Sequence, residues 1–217
     1  MMPTTTTTND ILLFPILDST LNELVSGFDQ ISDKRKEILK ELAGFIQNKV
    51  KDGKKVYLNF ICTHNSRRSV LAQCWAQAAA YYYAVPGVEC FSGGTDATAF
   101  NPRAVVAMQK AGFEITKEKA GENPIYEVRY SQNAPPIITF SKKYNDPFNQ
   151  NKDFAAIMTC SHADENCPLV TGASTRIALP YNDPKEFDGT PIESIKYSER
   201  ANEIGREMLF TFYQVKK

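Results

Sequence analysis

Residues 55–80 read KVYLNFICTHNSRRSVLAQCWAQAAA, and this stretch decides the fold. Val56 to Ile61 is an apolar, strand-like run that stops at Cys62. Thr63 to Arg68 is a short polar loop. From about Ser69 onward, Leu71, Cys74, Trp75 and Ala78 recur at helical spacing. Strand, loop and helix together bracket C-x5-R-S, with Cys62, Arg68 and Ser69 at its fixed positions. The order has a mechanical meaning. A loop between a strand end and a helix start turns successive backbone N–H groups inward, and the helix dipole adds positive potential, so the loop can hold a tetrahedral oxyanion. An arginine at the far end can grip two oxyanion oxygens at once. A cysteine at the near end lies under that anion, in a cationic setting that favours the nucleophilic thiolate. The bland reading is a buried cysteine beside a surface arginine. The flanking strand, the flanking helix and Ser69 weigh against it.

The whole chain bounds the rest. Its 217 residues suit one medium-sized domain with room for a decorated edge. Basic and acidic residues balance at 25 each, so no basic stripe points to nucleic acid and no acidic tail is present. A mean hydropathy of −0.36 and the lack of a long apolar run argue against a membrane span. The start, MMPTTTTTND, lacks a charged region and an apolar core, so it does not read as a signal peptide, and the expected location is cytoplasmic. Five cysteines, an odd count, then point to catalytic, redox or buried thiols rather than a disulfide framework.

Along the chain, residues 1–10 read as a disordered Thr-rich tail, and 11–54 as a helical N-terminal extension. In that extension Ile38, Leu39, Leu42, Phe45 and Ile46 share one face, which suits a packed amphipathic helix better than a cap or dimer face. A catalytic domain is expected over 55–217. Val88 to Ser92 reads as a strand ending in Ser92-Gly93-Gly94-Thr95. Asn101-Pro102 opens a helix that Gly112 ends. Residues 121–153 read as an insertion on the sheet edge or over the pocket, with short strands over 125–130 and 136–141. Phe154 to Thr159 is a buried parallel strand leading to Cys160. Residues 161–174 read as a polar loop, and Arg176 to Leu179 as a strand followed by Tyr181-Asn182-Asp183-Pro184. A long helix over 193–214 closes the chain, with Ile195, Ala201, Ile204, Met208 and Phe212 available to pack. Strands alternating with helices predict an α/β sandwich with a mostly parallel sheet. In such sheets the site lies outside the carboxyl ends of the strands. Cys62, Ser92, Cys160 and Asp183 all follow a predicted strand end.

Cys160-Ser-His-Ala-Asp-Glu-Asn-Cys167-Pro168 forms a second constellation. It supports three readings: a redox pair in which Cys160 resolves an adduct on Cys62 and Cys167 closes a Cys160–Cys167 disulfide, a metal site using Cys160, His162 and Cys167, or incidental buried thiols. The spacing is not a usual zinc pattern, and redox is the stronger reading. Cys74 and Cys90 read as core residues. A proton donor for a departing oxygen is also needed, and Asp183 serves better than Asp188, whose neighbour Gly189 suggests an ordinary turn.

CTHNSRRS resembles the anion-binding loop of the low-molecular-weight protein tyrosine phosphatases and of the thioredoxin-coupled arsenate reductases. The resemblance runs from about residue 55 onward and implies a three-layer α/β/α sandwich with a four-stranded sheet. It implies Cys62 as nucleophile, Arg68 as anion clamp, Asn65 as a loop-shaping residue and Ser69 as hydroxyl partner of the thiolate. Thr63, His64, Asn65, Ser66, Arg67, Arg68 and Ser69 would together surround the anion. It also implies Asp183 as the acid. MTCSHADENCP resembles the reductases' redox loop, which implies Cys160 and Cys167 as relay thiols and a thioredoxin-like reductant. Two loop positions depart from the pattern: His64 stands where glycine is usual, and Arg67 where cysteine is common. His64 then needs a left-handed conformation or a changed loop path. Gln73 stands where related reductases often carry an acidic residue that helps to bind potassium. The expected function is reduction of arsenate to arsenite, with no cofactor and no resident metal. A phosphotyrosine or small-phosphoester phosphatase is the alternative. An oxyanion-binding or redox-sensing module without turnover is the third reading, favoured if His64 or Arg67 blocks the loop.

Overall fold

The computed structural model describes residues 12–166 and 169–216. The expected tail over 1–10 and the Cys167 relay thiol lie outside the described residues. Helices α1 (Pro15–Ser26) and α2 (Asp33–Lys51) come first. Ser32 caps α2 by accepting from the Arg35 N–H at 3.3 Å. Strand β1 (Val56–Cys62), α3 (Arg68–Tyr82), β2 (Val88–Gly94) and α4 (Pro102–Lys110) follow. Next come β3 (Glu114–Lys119), β4 (Ile125–Arg129), β5 (Ile137–Thr139), β6 (Phe154–Met158), α5 (Ser161–Asn166), β7 (Ala173–Ala178) and α6 (Glu193–Tyr213).

Four strands form one parallel sheet in the order β2-β1-β6-β7, flanked by helices. Burial on both faces explains its apolar strands. Leu58, Phe60, Ala155 and Ile157 belong to the large core beneath the helices. Ile61, Phe154, Ala156 and Met158 belong to a second cluster on the other face, with Ala163 of α5 and Tyr144. Trp75 of α3 is fully buried, edge-on to Phe113 with ring centroids 5.0 Å apart. Leu39, Leu42 and Ile46 of α2 enter the same core, as their spacing predicts.

Three expectations need correction. The stretch 161–174 is not all loop, because α5 begins directly after Cys160. The strands expected within 121–153 do pair as a hairpin, but they are joined by β3 in a separate antiparallel sheet, β3-β4-β5. β3 reads EITKEK, and its mostly exposed edge position accounts for so polar a strand. Ile195 is 56% exposed rather than packed. Among the described residues, no helix is long and apolar enough to cross a membrane.

α6 lies flush against α3 at Gly205. A Cβ there would meet the Trp75 ring at 2.8 Å and Leu24 Cδ1 at 2.9 Å. Gly205→Ala gains about 1 kcal/mol of helix propensity but overpacks a rigid ring, which costs about 1–3 kcal/mol. The expected outcome is net destabilisation of about 1–2 kcal/mol, read as a lower urea midpoint at unchanged slope. A raised midpoint would refute this packing.

Candidate active site

The sheet order places β1 between its two sequence successors, β2 on one side and β6 on the other. The crevice at such a reversal is where α/β sheets bind ligands. Cys62 ends β1, and Cys160 follows β6, the adjacent strand. The loop between Cys62 and α3 is therefore held at the switch point.

Its backbone explains the two unusual residues. The positive φ lies at Asn65 (45°) and not at His64. Asparagine tolerates this region better than most residues. His64 thus escapes the expected strain, and it is an exposed residue. Its carbonyl accepts from Ser141 Oγ at 2.7 Å. Asn65 Oδ1 accepts from the Lys142 N–H at 3.0 Å, and its Nδ2 donates to Ser69 Oγ at 2.9 Å. Ser69 Oγ lies 3.1 Å from Cys62 Sγ. Since Ser69 receives a hydrogen from Asn65, its own hydroxyl hydrogen is free to point at the sulfur. Arg67 is the N-cap of α3 and makes no side-chain cap, so it leaves the first N–H groups of the helix available to another acceptor.

Arg67 and Arg68 both meet Asp183. Arg67 Nε lies 2.8 Å from Oδ1, and Arg68 Nη2 lies 2.8 Å from Oδ2. Arg68 Nη1 also donates to the Tyr181 carbonyl at 3.1 Å. The Nε groups of both arginines are buried without an aligned hydrogen-bond acceptor, although Arg67 Nε is close to Asp183. The unpartnered Arg68 Nε donor suits an oxyanion. Cys62, His64, Ser66, Arg67, Arg68 and Asp183 line a cavity of about 10 Å³, close to the least that holds one water. A tetrahedral oxyanion would fit here only if the Arg68–Asp183 pair opens.

Cys160 is 1% exposed and shares a buried cluster with Cys62. Its Sγ accepts from the Ala163 N–H at 3.4 Å and lies 3.5 Å from Thr63 Oγ1. His162 Nδ1 lies 3.4 Å from the same hydroxyl. The structure thus brings Cys62, Thr63, Asn65, Ser69, Arg67, Arg68, Asp183 and Cys160 to one edge. Among the described residues, no group of three or more His, Cys, Asp or Glu side chains is placed to hold a metal ion.

Ser92 does not reach this edge. It sits inside β2 opposite Phe60 and donates to Gln73 Oε1 at 2.6 Å. Gln73 also donates to the Cys90 carbonyl at 2.9 Å, so this side chain serves packing of α3 on β2. Asp188 accepts from Tyr197 Oη at 2.7 Å and stands outside the cavity. Burial pushes the Cys74 thiol up to about 12 and the Cys90 thiol well above the usual range, which makes both poor nucleophiles.

The braces from Ser141 and Lys142 carried no local sequence signal. They work because the chain after β5 runs beside Gly94, with Gly94 N–H donating to the Lys142 carbonyl at 2.8 Å. A Cβ at Gly93 would meet Tyr144 Cα at 2.2 Å, and one at Gly94 would meet Thr63 O at 2.6 Å. The glycine pair is what allows this approach.

An arsenate reductase of Halalkalibacterium halodurans is 27% identical over 155 residues, covering 71% of this chain and 93% of that protein. One from Bacillus subtilis strain 168 is 27% identical over 150 residues, covering 69% and 89%. The chain is a homologue of the arsenate reductases. No family model matches this homologue. Among solved structures, a low-molecular-weight phosphotyrosine phosphatase from Vibrio cholerae O395 aligns at 13% identity with a TM-score of 0.48, covering 71% of this chain and 93% of that one. A thioredoxin-dependent arsenate reductase from Corynebacterium glutamicum aligns at 18% identity with a TM-score of 0.37, covering 87% and 92%.

Lys142 supplies a pH test of this region. It is 2% exposed, with Nζ over the Phe140 ring at 4.5 Å. Desolvation lowers its ammonium pKa from 10.5 to about 8, against a smaller opposing pull from Asp146. Below pH 8 both folded and unfolded chains hold this proton, and burial of the charge is at its full cost. Between about 8 and 10.5 the unfolded chain holds the proton and the folded chain releases it, so the parent gains stability as pH rises. Relative to Lys142→Met, the gain should approach about 3 kcal/mol. Urea unfolding of both proteins at pH 7 and pH 10 checks this, and parallel stabilities would refute it.

Proposed function

We propose that the chain is an arsenate reductase-like enzyme that works through a cysteine adduct and a disulfide relay. The carrying observation is the placement of Cys160, whose sulfur sits beside Thr63, the residue next to Cys62, at the crevice. The curated relatives named as arsenate reductases add to this reading, because the match covers 93% of the first of them. Hydrogen arsenate would enter the loop, take Arg68 from Asp183 and meet the inward N–H groups. Cys62 attacks arsenic, forming a sulfur–arsenic bond, and one arsenate oxygen leaves. Asp183, released from Arg68, passes it the proton that arrives with the hydrogen arsenate. The oxygen departs as hydroxide and becomes water by taking up the proton that the Cys160 thiol gives up. Cys160 thiolate then attacks Cys62 Sγ. The sulfur–arsenic electron pair goes to arsenic, arsenite departs, and a Cys62–Cys160 disulfide remains. Cys167 attacks Cys160, which frees Cys62, and an external dithiol of the thioredoxin type reduces the Cys160–Cys167 bond.

The same loop fits a phosphoester, for which water would resolve a phosphocysteine and no second thiol is needed. Electrons separate the two. Cys160→Ser and Cys167→Ser should each abolish multiple-turnover arsenate reduction with a thioredoxin system. Both should leave aryl phosphate hydrolysis within about threefold of the parent, and Cys62→Ser should remove both activities. Thiol mass spectrometry after one turnover should find the Cys160–Cys167 disulfide only when arsenate is supplied. No such disulfide, with efficient phosphotyrosine hydrolysis by the parent, would overturn the reductase reading in favour of the phosphatase.

A further inference from the structure

The segment that carries Asp183 is held from outside the sheet. Arg35 is the third residue of α2, in the N-terminal extension. Its Nε and Nη2 donate to Glu207 Oε1 and Oε2 of α6 at 2.7 and 2.9 Å, a two-pronged pair. Its Nη1 donates to the Pro180 carbonyl at 3.0 Å. The face of its guanidinium lies 4.5 Å from the centroid of the Tyr181 ring. Both partners of the ion pair are largely buried, at 17% and 6% exposed.

Tyr181 connects this grip to the crevice. Its N–H donates to the Thr159 carbonyl at 3.1 Å, just before Cys160. Its carbonyl receives Arg68 Nη1, and Asp183 follows two residues later. Asn182 between them is exposed. Asp183 Oδ1 accepts from the Lys185 N–H at 3.1 Å, which orients the carboxyl group but does not hold the backbone ahead of it. That backbone is fixed by Tyr181 and Pro180, and Arg35 grips both.

We propose that Arg35 is a positioning residue of this active site: it holds Pro180–Asp183 so that Asp183 stays over the anion loop when Arg68 turns to the oxyanion. The N-terminal extension is then part of the catalytic apparatus. The role needs arginine. Two parallel bonds to a carboxylate, a third to a carbonyl and a stacked face require a planar fork, which lysine lacks. The alternative is a buried ion pair that only fastens α2 to α6.

The proposal rests on the reading of Asp183 as proton donor, and the test keeps the two apart. Arg35→Met alone strands the Glu207 charge, so the working variant is Arg35→Met with Glu207→Gln, alongside Arg35→Lys. In the parent background, kcat for phenyl phosphate should fall about 10–100-fold, as expected when a proton donor is misplaced by about 1 Å. KM and inhibition by vanadate should shift less than about threefold, because the loop amides and Arg68 remain. With an activated aryl phosphate the loss should be several-fold smaller. In an Asp183→Asn background the same changes should cost less than about threefold, since the group they position is gone. Amide exchange over residues 181–187 should rise about tenfold or more, with β1 unchanged. Equal losses in both backgrounds, or unchanged exchange at 181–187, would overturn the proposal. If Asp183→Asn itself has no effect on phenyl phosphate while exchange does rise, the assignment of the acid fails and the positioning of this segment by Arg35 stands.

Discussion

Asn65 is the joint on which the Cys62–Ser69 loop turns. It adopts φ 45° without being glycine, and both ends of its amide are engaged. Its oxygen is committed to the Lys142 N–H, so its nitrogen must face Ser69. Ser69 therefore accepts one hydrogen from Asn65, which leaves its own free to point toward Cys62 Sγ. All four residues of this chain of contacts are buried, at 3% exposed or less. A buried polar group left unpaired costs about 1–3 kcal/mol, so losing one link penalises the next. The hydroxyl partner of Cys62 thus depends on a backbone amide 77 residues beyond Asn65 in the chain. That amide in turn depends on the absence of a side chain at Gly93 and Gly94.

The topology explains why the two thiols share the crevice. With β2 and β6 on opposite sides of β1, the chain ends of β1 and β6 emerge side by side where the sheet order reverses. Ile61 pairs with Met158, and the Thr159 N–H donates to the Ile61 carbonyl at 2.7 Å. Cys62 and Cys160 are thereby carried past the sheet edge by neighbouring strands in fixed register. A one-residue slip of β6 would send Cys160 to the opposite face.

How much of this was legible in the sequence follows from the range of each interaction. The Cys62–Ser69 loop was legible because strand end, loop and helix start are contiguous, and their chemistry is local. The packed face of α2 was legible because Leu39, Leu42 and Ile46 repeat at 3.6-residue spacing. β3 was not, since Glu114–Lys119 alternates little and is a strand through pairing with β4. Ser92 misled because the polar residue before Gly93-Gly94 faces Gln73 of α3 rather than the crevice. Gly93 and Gly94 themselves serve the approach of Tyr144 and of the loop. Arg35 was hidden among Lys34, Arg35 and Lys36 on a surface-like helix start, where only tertiary contact separates one cation from its neighbours. The left-handed residue was sought at His64 because glycine is usual there, while the backbone places it at Asn65.

Burial also bears on how electrons would enter the site. Cys62 is 3% exposed and Cys160 is 1% exposed. A disulfide between them would be sealed from a protein dithiol, because thiol exchange requires in-line approach of one sulfur to another. Neither Cys74 nor Cys90 offers a way in, since both are core thiols disfavoured as thiolates by burial. On the reductase reading, the oxidising equivalent must therefore travel outward from Cys160 before any partner reaches it. Cys167 is the one remaining cysteine of the chain. It follows α5, whose start already touches Cys160 through the Ala163 N–H. A phosphatase would have no use for such an exit, because water reaches a phosphocysteine through the same mouth by which the substrate enters. On the reductase reading, the sealed position of Cys160 is thus a physical reason for a third sulfur.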